Sequence, residues 1–150
     1  MGRFLGKFDY SVDSKGRVNI PAKFRKALRP EAGDVFVICR APDGCLRAYP
    51  NDLWEQYEAE INSRPETKEN SRLKRLIFNS VTDSTLDSQG RITLTPALMA
   101  IAGIKKEVVL LGQSRYIEIW EPTRYDEYLG AGEDFDEVFY KSVETMMGNK

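Results

Sequence analysis

The stretch Asp13-Ser14-Lys15-Gly16-Arg17 occurs a second time in the chain, as Asp87-Ser88-Gln89-Gly90-Arg91. Asp, Ser, Gly and Arg keep the same spacing in both copies, and only the middle residue differs. An apolar residue stands directly before and directly after each copy: Val12, Val18, Leu86 and Ile92. A repeat of this kind indicates a duplicated structural unit.

Each copy is expected to form a tight turn between two strands. Residues 8–12 alternate between apolar and polar side chains, and the alternation resumes at Val18, which is typical of half-buried strands. The two runs and the short break between them predict a hairpin with Gly16 in a left-handed conformation. Asp13 can accept hydrogen bonds from the amides of the turn and can form an ion pair with Arg17.

In each copy the turn would present an arginine, Arg17 in the first and Arg91 in the second. Lys15 adds a cation at the tip of the first turn, and Gln89 takes its place in the second. A single Asp-x-x-Gly-Arg would be explained by its turn chemistry alone. Two copies in matching contexts favour a duplicated unit, but the repeat by itself assigns no function to the arginines.

Charge is distributed unevenly along the chain, although the net charge is only −1. Residues 1–30 carry eight basic and two acidic side chains, whereas residues 121–150 carry three basic and eight acidic ones. A basic first part and an acidic end suggest an anionic partner for the first part. The alternative explanation is an ordinary solvated surface.

The composition also narrows the class of protein. The 150 residues suffice for one domain, or for two small units that share a core. We expect neither a secretory signal nor a membrane span, because there is no long apolar run. Cys39 and Cys45 are expected to be reduced packing residues, since two thiols alone fall short of a metal site.

A helix, two strands and a second helix are predicted to follow each copy. After the first copy these elements are expected at residues 22–28, 35–38, 45–49 and 51–61. After the second copy they are expected at residues 97–102, 108–111, 116–120 and from 122 onward. Aromatic residues match between the halves, as Tyr49 with Trp120, Trp54 with Tyr125, and Tyr57 with Tyr128. A connecting helix is predicted at 71–78, and an amphipathic helix at 134–147 that packs on its own domain or on another subunit.

These motifs resemble the MraZ family. The resemblance rests on the two Asp-x-x-x-Arg turns, each followed by a short helix, and on further matching runs at residues 16–25, 90–92, 106–112 and 118–120. It spans roughly residues 1–130. One departure is that Thr95 stands where the first half has Pro21, and the helix after it is apolar.

The resemblance implies an α+β fold of two tandem AbrB-like swapped-hairpin units, a double-split β-barrel with pseudo-twofold symmetry and flanking helices. The units are expected at 1–62 (first SpoVT-AbrB-like unit), 63–80 (helical connector), 81–130 (second SpoVT-AbrB-like unit) and 131–150 (C-terminal helix). It also implies a bacterial transcriptional regulator of the division and cell-wall gene cluster that forms rings of several subunits.

We therefore predict a cytoplasmic, nucleoid-associated homo-oligomer that binds double-stranded DNA at short direct repeats of its promoter and represses its own operon. No cofactor and no membrane partner are expected. The residues predicted to bind DNA are Lys15, Arg17, Lys23, Arg25 and Arg91, with Lys23 and Arg25 on phosphates. Those predicted to hold the turns are Asp13, Gly16, Asp87 and Gly90. Two roles remain open for Arg91, DNA contact or structural support.

Two other classes of function were weighed against this prediction. The chain has no histidine, and it lacks a nucleophile elbow, a Walker loop and a dinucleotide fingerprint, so we predict no enzyme. An AbrB-type protein-interaction module of the antitoxin kind, with weak non-specific DNA binding, is the alternative function. Such antitoxins usually have one turn unit and a disordered tail, whereas this chain has two units and a tail rich in apolar residues.

Overall fold

A computed structural model describes residues 2–130 and 134–147. Within these ranges the strands are β1 (Lys7–Ser11), β2 (Arg17–Asn19), β3 (Val35–Arg40), β4 (Leu46–Pro50), β5 (Thr82–Thr85), β6 (Arg91–Thr93), β7 (Glu107–Gly112) and β8 (Ile117–Trp120). The helices are α1 (Ala22–Ala27), α2 (Asn51–Ser63), α3 (Lys68–Phe78), α4 (Pro96–Ala102), α5 (Pro122–Leu129) and α6 (Phe135–Met146). Antiparallel strands with separate helices confirm the predicted α+β class.

The two halves of the chain share one sheet. Six strands form it in the order β1-β7-β8-β4-β3-β5, and all neighbours are antiparallel. Phe8 of β1 lies opposite Leu110 of β7, and Leu46 of β4 lies opposite Ile119 of β8. Strands of the first half are therefore hydrogen-bonded to strands of the second, so the halves are joined by backbone pairing.

The simple hairpin predicted from the alternation is wrong in its pairing, although the turn itself forms. β1 pairs with β7, whereas β2 pairs with β6 in a separate two-stranded ladder. Val18 lies opposite Ile92 in that ladder, and both side chains are completely buried. Pairing β2 with its counterpart buries both residues in the common core. This exchange of strands agrees with the swapped-hairpin arrangement that the resemblance implies.

The equivalent helices α1 and α4 of the two halves each contribute buried side chains to the core. Phe24 of α1 and Leu98 of α4 follow the two turns at the same spacing, and both are completely buried. Phe24 makes edge-to-face contacts with Phe4 and Phe8, at ring-centroid distances of 5.5 and 5.1 Å. Burial of these apolar side chains fixes each helix directly behind the turn that precedes it.

The matched aromatic residues pack in the same way in both halves. Tyr49 contacts Trp54 and Tyr57, at centroid distances of 5.8 and 5.1 Å. The corresponding distances in the second half are 5.7 and 5.5 Å, for Trp120 with Tyr125 and with Tyr128. The structure therefore confirms that the repeat extends through α2 in the first half and α5 in the second.

Most element boundaries lie close to the predicted ones. Helix α3 begins earlier than expected because the Thr67 side chain caps it, accepting a hydrogen bond from the Asn70 amide at 3.1 Å. Strand β5 was not predicted, since its sequence is polar throughout.

Of the predicted C-terminal unit, residues 131–133 and 148–150 lie outside the described residues. Cys39 and Cys45 are buried free thiols that belong to different packing clusters.

Candidate functional site

The Asp13 carboxylate organises the first turn. Its Oδ1 atom accepts hydrogen bonds from the amides of Lys15 and Arg17, each at 2.9 Å, and its Oδ2 accepts one from Arg17 Nε at 2.7 Å. Gly16 has a φ of 80°, in the left-handed region that favours glycine. The hydrogen bonds, led by that of the Arg17 amide, outweigh partial desolvation and lower the pKa of Asp13 to about 2.

The second turn repeats this geometry. Asp87 Oδ1 accepts from the amides of Gln89 and Arg91, each at 2.9 Å, and Asp87 Oδ2 accepts from Arg91 Nε at 2.8 Å. Gly90 has a φ of 77°. The pKa of Asp87 is likewise lowered, chiefly by the hydrogen bond from the Arg91 amide. Each carboxylate therefore accepts three hydrogen bonds that hold its own turn and the arginine of that turn.

The β2–β6 ladder places the two turns side by side. The Gly16 carbonyl accepts a hydrogen bond from the Leu94 amide at 2.7 Å, and the Gly90 carbonyl accepts one from the Ile20 amide at 2.9 Å. Each turn is thus hydrogen-bonded to the residue that directly follows the ladder strand of the other half. The pair of turns forms one surface, which we call the turn surface, with Lys15, Arg17 and Arg91 on it.

The two arginines of the turn surface differ in their surroundings. Arg91 lies between two carboxylates, because its Nη1 is also 3.8 Å from Asp13 Oδ2. Arg17 pairs with Asp13 and, within the described ranges, forms no ion pair with Asp87. The Arg17 side chain is 34% exposed and that of Arg91 is 20% exposed. Arg17 is therefore the more available of the two for an external partner.

Helix α1 adds positive charge next to the first turn. Lys15 at the turn tip and Lys23 and Lys26 on α1 are exposed, whereas α4, the equivalent helix of the second half, carries no charged residue. The first half therefore contributes most of the positive charge near the turns. Any anionic partner of the turn surface would be attracted more strongly to this half.

Arg25 makes a contact with the second turn that sequence reasoning missed. Its Nε donates a hydrogen bond to the Ile20 carbonyl at 3.1 Å. Its guanidinium lies against Gly90 of the second turn, where an added Cβ atom would be 2.8 Å from Arg25 Nε. Arg25 is exposed, so it both supports the second turn and stays in contact with solvent. No sequence pattern signals this contact, because it joins residues of different halves.

Across residues 2–130 and 134–147, no group of three or more Cys, Asp or Glu side chains is arranged to hold a metal ion. None of the helices in these ranges combines the length and apolar character needed to cross a bilayer.

Comparison with known proteins relates the whole chain to one family. The family model described as "MraZ protein, putative antitoxin-like" matches residues 3–76 and again residues 77–147. A protein of Lactobacillus delbrueckii subsp. bulgaricus named "Transcriptional regulator MraZ" is 39% identical over 137 residues, covering 90% of this chain and 93% of that protein. A protein of the same name from Natranaerobius thermophilus is 42% identical over 126 residues, covering 83% and 85%. The double match of the family model agrees with the duplication seen in the structure.

Proposed function

The chain belongs to the MraZ family of transcriptional regulators, which is not a family of enzymes, and from this premise we propose that it binds promoter DNA sequence-specifically through the turn surface. The observation that carries the proposal is that the Arg17 side chain is both held in place and exposed. Asp13 Oδ2 accepts a hydrogen bond from Arg17 Nε at 2.7 Å, while about a third of the Arg17 side chain stays exposed. A planar guanidinium suits the two major-groove acceptors of guanine, or a phosphate.

The rigidity of the first turn supports this role. The Asp13 carboxylate accepts hydrogen bonds from the amide and the Nε of Arg17 and from the Lys15 amide, which fix the turn and the Arg17 side chain before any partner arrives. A group that is already ordered loses little conformational entropy when it docks. Arg17 is therefore assigned to base recognition, with Lys15 beside it at the tip of the turn.

The remaining cations are assigned to the DNA backbone. Lys23 and Arg25 are exposed on α1 and would neutralise phosphates, which positions a protein on DNA without reading its sequence. Arg91, which two carboxylates hold, is assigned mainly to positioning the first turn. A contact between Arg91 and DNA would then be secondary to that of Arg17.

A single turn surface carries few cations, so the regulator is proposed to act as a multimer. A ring of identical copies would present several turn surfaces at fixed spacing, and avidity would raise the affinity for several short direct repeats. In this proposal the protein is cytoplasmic, associates with the nucleoid and represses its own division and cell-wall operon.

Fluorescence anisotropy of the purified protein tests the proposal. The probes are its own upstream DNA, a fragment with a single repeat and a scrambled fragment, each over a series of salt concentrations. We expect preference for the repeat-containing DNA, a steep loss of affinity with salt, and a loss of about tenfold or more with Arg17→Ala. Arg40→Ala, at an exposed arginine at the end of β3, is the matched control. Equal affinity of wild type and Arg17→Ala for repeat-containing DNA would refute the role of Arg17.

A further inference from the structure

An open cavity lies between helix α2 and the strands β3 and β4. Its volume is about 370 Å³, within the range of about 300–1,000 Å³ that is usual for small-ligand sites. The lining combines three arginines with three aromatic side chains: Arg40, Arg47, Arg64, Tyr49, Trp54 and Tyr57. Within the described ranges it includes no residue of the turn surface or of α1, so the cavity is separate from the proposed DNA contact.

The cavity has an excess of positive charge. Glu60 is the single carboxylate that lines it in the described chain, against three guanidinium groups. Burial raises the pKa of the Cys39 thiol to about 11 and also raises the pKa of Tyr49, so both groups are neutral at neutral pH. None of the ion pairs within the described ranges involves the three arginines. Cations without carboxylate partners around one cavity favour an anionic ligand.

Arg47 is held in a fixed position, yet its charge has no partner. Its Nη1 donates a hydrogen bond to the Tyr49 hydroxyl at 3.1 Å, and its Cζ lies 4.6 Å from the centroid of the Tyr116 ring. Its Nε is buried and has no hydrogen-bond partner within the described ranges. A partly buried cation without a counter-charge costs stability, and an anion in the cavity would supply that charge.

The matched position in the second half carries a charge that the protein itself satisfies. Arg47 stands two residues before Tyr49, and Glu118 stands two residues before the matched Trp120. Glu118 is 9% exposed, and its Oε1 accepts hydrogen bonds from Trp120 Nε1 at 2.9 Å and from Gln113 Nε2 at 3.1 Å. A ligand in the cavity of the first half would explain why only Arg47 lacks such partners.

We propose that this cavity binds a small nucleoside phosphate, with the phosphate on its arginines. The planar fork of a guanidinium matches two oxygens of a phosphate, and Arg47 is already oriented by its contacts with Tyr49 and Tyr116. Arg40 at the end of β3 and Arg64 directly after α2 are exposed, so they can approach the same phosphate from the solvent side.

The rest of the lining suits a flat base and its polar edge. Tyr57 is partly exposed, and Ile61 and Ile77 line the cavity with it, which gives a base an aromatic and apolar surface to pack on. Glu60 is exposed at the same cavity and can accept hydrogen bonds from an amino group of the base or from ribose hydroxyls. An inorganic anion would use the arginines alone, whereas a nucleoside phosphate uses both kinds of lining.

Isothermal titration calorimetry of the full-length protein without DNA tests the proposal. The probes are AMP, GMP, CMP and UMP, with inorganic phosphate and the corresponding nucleosides as references. We expect at least one monophosphate to bind at one site per chain. Its affinity should exceed that of inorganic phosphate and of its own nucleoside by about tenfold or more, because each reference lacks one set of contacts.

Substitutions then assign the binding to the cavity. Arg64→Ala should weaken binding of the monophosphate by about tenfold, since it removes a charged hydrogen-bond donor. Arg72→Ala is the matched control, because Arg72 is an exposed arginine of α3 outside the cavity lining, and it should keep the wild-type affinity. Arg47→Met should abolish measurable binding. Arg64 is exposed, so Arg64→Ala keeps the test decisive even where Arg47→Met fails to fold.

Four outcomes would each overturn the proposal. They are no saturable binding of any monophosphate up to millimolar concentration, equal affinity of inorganic phosphate and the monophosphates, equal affinity of wild type and Arg64→Ala, and tighter binding of a single-stranded oligonucleotide at this cavity. Arg17→Ala should keep the affinity for the monophosphate while it loses affinity for promoter DNA. Failure of this site is therefore distinguishable from failure of DNA recognition.

Discussion

Nη1 of Arg91 lies 3.8 Å from Oδ2 of Asp13, so the arginine of the second turn is paired with the carboxylate of the first. Asp13 Oδ2 also accepts the hydrogen bond from Arg17 Nε at 2.7 Å. The two copies of the motif therefore share one carboxylate, and Arg91 links the turns while Arg17 stays more exposed. This asymmetry arises although the two copies have nearly the same sequence.

Arg91→Ala and Arg17→Ala should therefore have opposite rankings in two assays. We expect Arg91→Ala to lower Tm more than Arg17→Ala, because it removes contacts with Asp87 and Asp13 at once. We expect Arg17→Ala to lower DNA affinity more, because its side chain is the more exposed of the two. Thermal unfolding and anisotropy on the same preparations provide the comparison, and the same ranking in both assays would contradict the assigned roles.

The stability of the protein should fall in acid over a window to which Asp13 contributes. The pKa of Asp13 is lowered from 3.8 to about 2 in the folded protein, so its ionised form stabilises the fold above pH 3.8. That stabilisation is lost as the pH falls from 3.8 toward 2. Asp13→Asn should reduce the dependence of Tm on pH in this window, whereas Asp83→Asn, at an exposed residue of β5, should not. An unchanged dependence in Asp13→Asn would contradict this contribution of Asp13.

The glycines of the two turns should tolerate alanine unequally. Both have a positive φ, of 80° at Gly16 and 77° at Gly90, so alanine costs about 1–2 kcal/mol at either site. A Cβ atom at Gly16 would in addition collide with the backbone carbonyl of Leu94, whereas one at Gly90 would meet the side chain of Arg25. We expect the larger loss of unfolding free energy for Gly16→Ala, because backbone cannot move aside as a side chain can.

Urea unfolding of the two variants measures this difference. Adding Arg25→Ala to Gly90→Ala should recover part of the loss, since it removes the side chain that the new methyl group meets. Equal losses for Gly16→Ala and Gly90→Ala would contradict the different environments of the two turns.

Phe24→Ala should be strongly destabilising. Phe24 is completely buried against Phe4 and Phe8. Removing such a side chain lowers the free energy of unfolding by about 3–5 kcal/mol, and we expect a loss of this size for Phe24→Ala. Phe135→Ala is the matched control, because Phe135 is 76% exposed and its removal should change stability by less than about 0.5 kcal/mol. Urea unfolding measures both, and similar losses would contradict the packing of α1 described here.

Local features of the fold could be predicted from the sequence, but the pairing of its strands could not. The repeated Asp-x-x-Gly-Arg specifies a turn through its own residues, and the turn is present with Gly16 in the left-handed region. The partner of β1 is β7, about a hundred residues away, and alternation along one strand holds no information about that partner. Resemblance to a family supplied the exchange of strands that the pattern alone missed.

In the candidate site, too, the local contacts could be predicted from the sequence and the contacts between the two halves could not. The hydrogen bonds from Arg17 to Asp13 are local and follow from the spacing of the two residues. The ion pair between Arg91 and Asp13 and the contact of Arg25 with Gly90 join the two halves, so they depend on the ladder between β2 and β6. Strand β5 was missed because its four residues are polar and its role is set by pairing with β3.

The most direct test of the central claim, that Arg17 reads DNA sequence, is the specificity ratio of Arg17→Lys. This ratio is the Kd for scrambled DNA divided by the Kd for the repeat-containing fragment, measured at one salt concentration. Lysine keeps the charge but lacks the planar fork, so the ratio should fall about tenfold or more while affinity for scrambled DNA stays nearly constant. A ratio equal to that of wild type would contradict base recognition by Arg17.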